Sequence, residues 1–255
     1  MKVKYSICID AVFRGKTSVE AIEGVKEAGY DAYEFWKPGG KDLQAMKAKG
    51  DALGVNCISF SGRGRPVNLN DPKEHENWIE VLKESVNAAK IMGNKRLVAP
   101  VGEDIGTRRD FQHKAIVKAL KMAVPLLTEN NITLMVEPLN GRVDHIGHYL
   151  QSSDEGFEIL DEVGSPNVKL LFDIYHQQIT EGDILRRMLP RIKQIGHIHT
   201  AGSRGRNELD VGELDYPKII LAVIEAGYDG YIGFEYMPVA DSLSGLKRMY
   251  DYLPK

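Results

Sequence analysis

The sequence predicts a single closed (β/α)8 barrel, α/β in class, formed by residues 1–255. Three observations carry this. Eight short apolar segments recur along the chain, rich in β-branched or aromatic residues and mostly bounded by Gly, Asn, Asp or Pro. Segments of helical periodicity separate them, and strands alternating with helices imply a parallel sheet. The 255 residues match the roughly 250 that eight such units need. A doubly wound open sheet is the competitor, but no Gly-x-Gly-x-x-Gly follows the first apolar segment.

The elements follow in order. A strand is expected over 4–10 (KYSICID), then a helix over 18–28 with Val19, Ile22, Val25 and Ala28 on one face and Gly29 as its stop. The second strand is 32–37 (AYEFWK), with a helix near 41–53. The third is 55–62 (VNCISFSG), ending at Gly62-Arg63-Gly64-Arg65-Pro66, which reads as a surface loop too short to be a nucleic-acid stripe. The helix over 73–92 aligns Trp78, Val81, Leu82 and Val86 and stops at Gly93. Strand four (RLVAP, 96–100) precedes a helix over 109–130, where Pro125 is a candidate kink. Strand five (TLMVEPL, 133–139) precedes a helix whose start, Ser153-Asp154-Glu155, carries the acidic residues that suit an N-terminus. Strands six (VKLLFDIYH, 168–176), seven (IGHIHTAG, 195–202) and eight (YIGFEY, 231–236) are followed by helices near 183–190, 216–227 and 242–252. Most strands are near-continuous apolar runs, as strands buried on both faces require.

Composition narrows the function. Hydrophobic residues at 43% and charged residues at 27% are globular values and exclude disordered and fibrous classes. A net charge of −3 argues against a general polyanion binder. Two cysteines, Cys8 and Cys57, make no disulfide framework or zinc motif and read as core residues. No apolar run approaches the roughly 18 residues of a membrane span. The opening segment is too short in apolar residues for a secretory signal, so the expected location is cytoplasmic.

Active sites of such barrels lie at the C-terminal ends of the strands. In the first half only Asp10, Glu34 and Trp36 stand there. In the second half four consecutive strands each end in a potential metal ligand: Glu137, Asp173, His199 and Glu235, spaced by 36, 26 and 36 residues. Neighbouring strands are about 4.8 Å apart, so these side chains can converge. Clustered carboxylates repel and resist ionisation unless a cation neutralises them, and a metal is the economical answer. Oxygen ligands with one imidazole suit Mn²⁺ or Mg²⁺, with Co²⁺ able to substitute, better than Zn²⁺. His197 shares a face with His199, so one can be a ligand and the other its support. His176 follows Asp173 by three residues and can face the same pocket. His145 and His148 read as solvated loop residues, and His75 and His113 as surface residues near helix starts. Arg204 and Arg206 follow strand seven, at the rim, where one can hold a substrate anion.

On these residues the chain resembles the xylose isomerase-like barrel superfamily and, within it, the hydroxypyruvate isomerase family. The resemblance spans nearly the whole chain and is carried by VEPLN (136–140), FDIYHQQI (172–179), GHIHTAGSRGRNEL (196–209), GELDY (212–216) and GFEYMP (233–238). It implies a divalent metal, Mn²⁺ or Mg²⁺, held by Glu137, Asp173, His199 and Glu235. It also implies that Glu137 and Glu235 are the acid–base pair and that His176 and Arg206 contact substrate. The implied reaction interconverts hydroxypyruvate and tartronate semialdehyde, or a close small hydroxy-oxo acid, by proton transfer through an enediolate. Some hydroxypyruvate isomerases carry Gln where this chain has His199, whereas ketose 3-epimerases carry His, so the epimerase is the alternative. A dehydroshikimate dehydratase-like lyase shares the scaffold. An endonuclease IV-like repair enzyme needs more metal-binding residues and a basic groove than seven histidines and this net charge offer. The expected partner is a small hydroxy-oxo acid or sugar, with no nucleic acid and no membrane. A homo-oligomer is compatible with the reading.

Overall fold

A computed structural model describes residues 3–63 and 66–255. Gly64 and Arg65, the centre of the Gly62–Pro66 segment read above as a surface loop, lie outside the described residues. Eight parallel strands close into one barrel in sequence order. They are β1 Lys4–Cys8, β2 Ala32–Phe35, β3 Asn56–Ser61, β4 Arg96–Ala99, β5 Thr133–Val136, β6 Val168–Asp173, β7 Ile195–Thr200 and β8 Tyr231–Phe234. Closure is by β1 on β8, with Ser6 opposite Gly233 and Ile7 opposite Phe234.

Helices follow the strands: α1 Ile9–Val12, α2 Ser18–Glu27, α3 Leu43–Leu53, α4 His75–Met92, α5 Arg109–Glu129, α6 Ser153–Val163, α7 Ile174–Thr180, α8 Ile184–Met188, α9 Tyr216–Glu225 and α10 Ser242–Tyr252. Their starts are chemically marked. Thr17 and Glu20 form a reciprocal capping box at α2, and Asp42, Ser152, Asp215 and Asp241 cap α3, α6, α9 and α10 with side-chain oxygens. Pro125 lies inside α5, which runs unbroken through it. No described helix is long and apolar enough to cross a membrane.

The expected strands are all present, but several end earlier than the apolar runs. β5 ends at Val136, two residues before Pro138, which has no N–H for a ladder. The run 168–176 divides: β6 ends at Asp173, whose carboxylate caps α7 by accepting the His176 backbone N–H at 3.0 Å. The polar strand-end residues are thus freed from the ladder while still aimed by it.

Side chains alternate through the barrel wall, as the period of two requires. Ile7, Leu134, Leu170, Phe172, Ile198 and Phe234 join the large core shared with the helices. Val98, Met135 and Leu171 form a separate small cluster. Ser6, Glu34, Ser59, His197 and His199 are buried in one hydrogen-bonded set, so the opposite side of the interior is polar. Gly233 makes room for it. A Cβ there would overlap Glu34 Oε1 and lie 2.8 Å from His197 Nε2 and 2.9 Å from His199 Cδ2. Gly233→Ala is expected to cost about 1–3 kcal/mol by overpacking. For a chain of this size that lowers the melting temperature by roughly 2–4 °C per kcal/mol. An unchanged thermal melt would contradict this packing.

Two histidines are corrected. His75 is buried, its Nε2 2.9 Å from the Leu69 carbonyl, because α4 starts against the preceding loop. His148 is buried rather than solvated, because its loop folds back on the chain, where His148 bridges Glu103 and the Tyr149 N–H donates to the Gly102 carbonyl. His113 is half-buried between Glu155 and Glu162. Cys8 and Cys57 are buried and free, as expected.

Candidate active site

The ladder fixes the height of the strand ends. Asp173 pairs with His199, and His199 with Gly233, two residues before Glu235. Potential ligand atoms of Glu137, Asp173, His176 and Glu235 lie within 4.8 Å of one another, and all four residues are buried. His199 borders this group from beside it. Its Nδ1 is 3.6 Å from Glu137 Oε1 and 3.7 Å from Glu235 Oε2. That nitrogen is buried and has no hydrogen-bond partner among the described residues.

The other face of His199 explains its orientation. Nε2 lies 3.1 Å from Glu34 Oε2, which also lies 3.0 Å from His197 Nε2 and accepts the Ser59 hydroxyl at 2.8 Å. Ser6 donates to Glu34 Oε1 at 3.0 Å. Against the push of burial, His197 and His199 hold the Glu34 carboxyl well below the usual range. Glu34 therefore presents a fixed anion to Nε2, turning Nδ1 toward the carboxylate group. This is the support that a ligating imidazole usually has.

The carboxylates differ in their surroundings. Burial pushes the Glu137 carboxyl up to about 7, with Glu235 and Asp173 adding to the push and His199 opposing it. Glu235 is clamped: Trp36 Nε1–H donates to its Oε1 at 2.6 Å and Arg206 pairs with its Oε2. Trp36 is set by Asp10, which accepts its backbone N–H at 2.8 Å and binds Lys41 at 2.7 Å. Burial opposes the charge on His199, but Glu34 and Glu235 hold the ring charged well above its usual range. A proton on Nδ1 and a divalent cation are alternative answers to the same crowded negative charge. The donor set, three buried carboxylates and an unpartnered imidazole nitrogen, fits such an ion.

Above the group opens a cavity of about 670 Å³, lined by Trp36, Glu137, His176, His199, Arg206 and Glu235 among others. Burial depresses the His176 ring well below its ordinary range, so it is neutral. Arg206 faces the cavity while Arg204 is exposed. Arg206 also approaches Asp144 at 3.8 Å, so its charge is shared between two carboxylates. Glu34 and Asn140 are the residues that sequence reasoning left without a role. Glu34 was visible as a charge within the apolar run Ala32–Phe35, and Asn140 as the last residue of VEPLN.

Comparisons with known proteins bear on the barrel as a whole. The family model described as xylose isomerase-like TIM barrel matches residues 22–252. A 2-oxo-tetronate isomerase of Cupriavidus necator is 32% identical over 232 residues, covering 88% of this chain and 89% of its own. A hydroxypyruvate isomerase of Escherichia coli K12 is 25% identical over 260 residues, covering 98% and 99%. A solved family 2 AP endonuclease from Brucella melitensis, 25% identical, superposes with a TM-score of 0.89 over 99% of this chain and 100% of its own. From the motifs at four strand ends, the closed barrel and the match over residues 22–252, the chain belongs to the xylose isomerase-like TIM barrel family.

Proposed function

We propose that this isomerase, acting as one barrel domain over residues 1–255, interconverts the carbonyl isomers of a small hydroxy-oxo acid, with hydroxypyruvate and tartronate semialdehyde as the three-carbon pair. The observation that carries the reading is the buried Glu137–Asp173–Glu235 group with His199 Nδ1 aimed at it, at the floor of an open cavity. The names of the two isomerase relatives support the substrate class.

Glu137, Asp173, His199 and Glu235 would hold a divalent ion, Mn²⁺ or Mg²⁺ by their donor set, with Co²⁺ able to substitute. Such an ion supplies Lewis-acid polarisation of the substrate's oxygens. The protein supplies the proton path. One glutamate takes the proton from the hydroxyl-bearing carbon, leaving an enediolate, and a proton returns to the former carbonyl carbon from the other. The hydroxyl proton moves in the same direction, from the hydroxyl oxygen to the former carbonyl oxygen, and the two glutamates re-exchange their proton before the next turnover, so atoms balance. Glu137 and Glu235 follow strands three apart in the ring and reach the cavity from different sides. His176 and Arg206 contact the substrate, Arg206 at its carboxylate.

A second reading, a ketose 3-epimerase, uses the same two glutamates on either side of one carbon. His199 favours it, since some hydroxypyruvate isomerases carry Gln there, and about 670 Å³ exceeds the needs of a three-carbon acid. Coupled assays on hydroxypyruvate, tartronate semialdehyde and a ketose panel, with metal analysis, decide between them. Turnover of ketoses alone would move the assignment to the epimerase. Arg206→Ala separates the classes independently. It is expected to cost a carboxylate substrate about 1.5–3 kcal/mol, mainly in apparent affinity, and a neutral ketose less. Unchanged kinetics on hydroxypyruvate would remove Arg206 from the anion contact.

A further inference from the structure

We infer that Asn140 is a positioning residue that locks His176 as the Nε2–H tautomer, making His176 a hydrogen-bond donor to the substrate and keeping it out of the metal's ligand set. The question arises because His176, not His199, lies within 4.8 Å of all three carboxylates. By proximity alone it is the better ligand. Its hydrogen bonding argues otherwise.

The Asn140 amide cannot be turned over. Its Oδ1 accepts two backbone N–H groups, from Val143 at 3.0 Å and Asp144 at 3.2 Å. An amino group placed there would face two donors. The Nδ2 end therefore points the other way, where it donates to Asp144 Oδ2 at 2.8 Å and meets His176 Nδ1 at 2.6 Å. The amide nitrogen has only hydrogens to offer, so His176 Nδ1 must accept. In a neutral imidazole the proton then resides on Nε2.

That Nε2 is the unusual atom. It is buried, has no hydrogen-bond partner among the described residues, and stands 3.7 Å from Asp173 Oδ2. The residue lines the cavity. The rings of His145 and Tyr175 pack edge-on at 5.1 and 5.3 Å and limit its rotation. A buried N–H without a partner at the wall of a cavity is a donor awaiting a ligand oxygen. A nitrogen that carries a proton cannot bind a cation. The two histidines are thus set in opposite senses by their outer partners. Glu34 takes the Nε2 hydrogen of His199 and turns Nδ1 inward, where a cation can take the place of its proton, while Asn140 fills the Nδ1 lone pair of His176 and leaves a hydrogen inward.

The test exchanges the polarity of that outer partner. Asn140→Asp alone would put two carboxylates 2.8 Å apart, so it is combined with Asp144→Asn, which keeps the charge and restores a donor between positions 140 and 144. Histidine ¹⁵N spectra of the metal-free protein report the tautomer, with His176 assigned from the resonance lost in His176→Gln or by through-bond assignment of the unaltered protein. In the wild type Nδ1 is expected to be unprotonated and Nε2 protonated. In the exchanged variant the pattern reverses, Mn²⁺ binds about tenfold tighter as His176 becomes a ligand, and kcat/KM falls by about tenfold or more. A wild-type spectrum with the proton on Nδ1, or an exchanged variant with the wild-type pattern and Mn²⁺ affinity, overturns the inference. The wild-type spectrum needs no variant to fold. The donor role of Nε2 rests on the isomerase reading above, but the tautomer does not. The expected spectrum in a protein inactive on every acid and ketose would sink that reading and leave the lock standing.

Discussion

Glu137→Gln is expected to lower turnover by about 10²–10⁴-fold, the range that a positioned acid or base contributes. Gln keeps an oxygen for a cation but accepts no proton at neutral pH. Glu137 is the cleaner of the two glutamates to test. No described donor hydrogen-bonds its carboxylate, His199 Nδ1 standing 3.6 Å away, so an amide there breaks no donor's hydrogen bond. Glu235→Gln is expected to lose at least as much, for an added reason. Its two oxygens accept from Trp36 and Arg206, and an amide turns its NH₂ against one of those donors. Metal content must be measured in both variants, because each glutamate is also a proposed ligand. A Glu137→Gln enzyme with full metal content and wild-type turnover would remove Glu137 from the proton path.

The barrel was legible because its signals are local. Apolar runs, Gly stops and acidic helix starts each sit within a few residues of the feature they specify. The four polar strand-end residues were legible for a related reason, since a polar residue after a buried run stands at the barrel mouth wherever the ladder stops. What escaped depends on partners distant in sequence. Glu34 finds His197 and His199 more than 160 residues away, across a closed barrel whose register no spacing reveals. Asn140 has its meaning only once Val143 and Asp144 have fixed which end of its amide faces His176. His148 looked like a loop residue and is buried, because the loop itself folds back to meet Glu103 and Gly102. The division of 168–176 turns on a single residue, Asp173, which ends a strand, caps a helix and joins the carboxylate group at once.

That triple role makes Asp173→Asn the sharpest test of the metal, beside chelation itself. Metal-stripped enzyme is expected to be inactive and to recover best with Mn²⁺, Mg²⁺ or Co²⁺. Full activity in stripped protein would rule the metal mechanism out. Asp173→Ala is a poor probe, because it also removes the cap on α7 at a cost of about 0.5–2 kcal/mol. Asn caps helices about as well as Asp, and its oxygen can still accept the His176 N–H now held at 3.0 Å. What Asn lacks is charge. The variant should therefore fold like the wild type without metal, and without metal should be no less stable, since one of three crowded carboxylates is neutralised. The difference should emerge only when the ion is added. At about 100 times its Kd, a metal that binds only the native state stabilises the wild type by about 2.7 kcal/mol. In a chain of this size that raises the melting temperature by roughly 5–10 °C. Asp173→Asn should lose most of that rise at the same Mn²⁺ concentration, together with most of the activity. An equal rise in both proteins would mean that Asp173 does not bind the metal, and its burial beside Glu137 and Glu235 would then need another explanation.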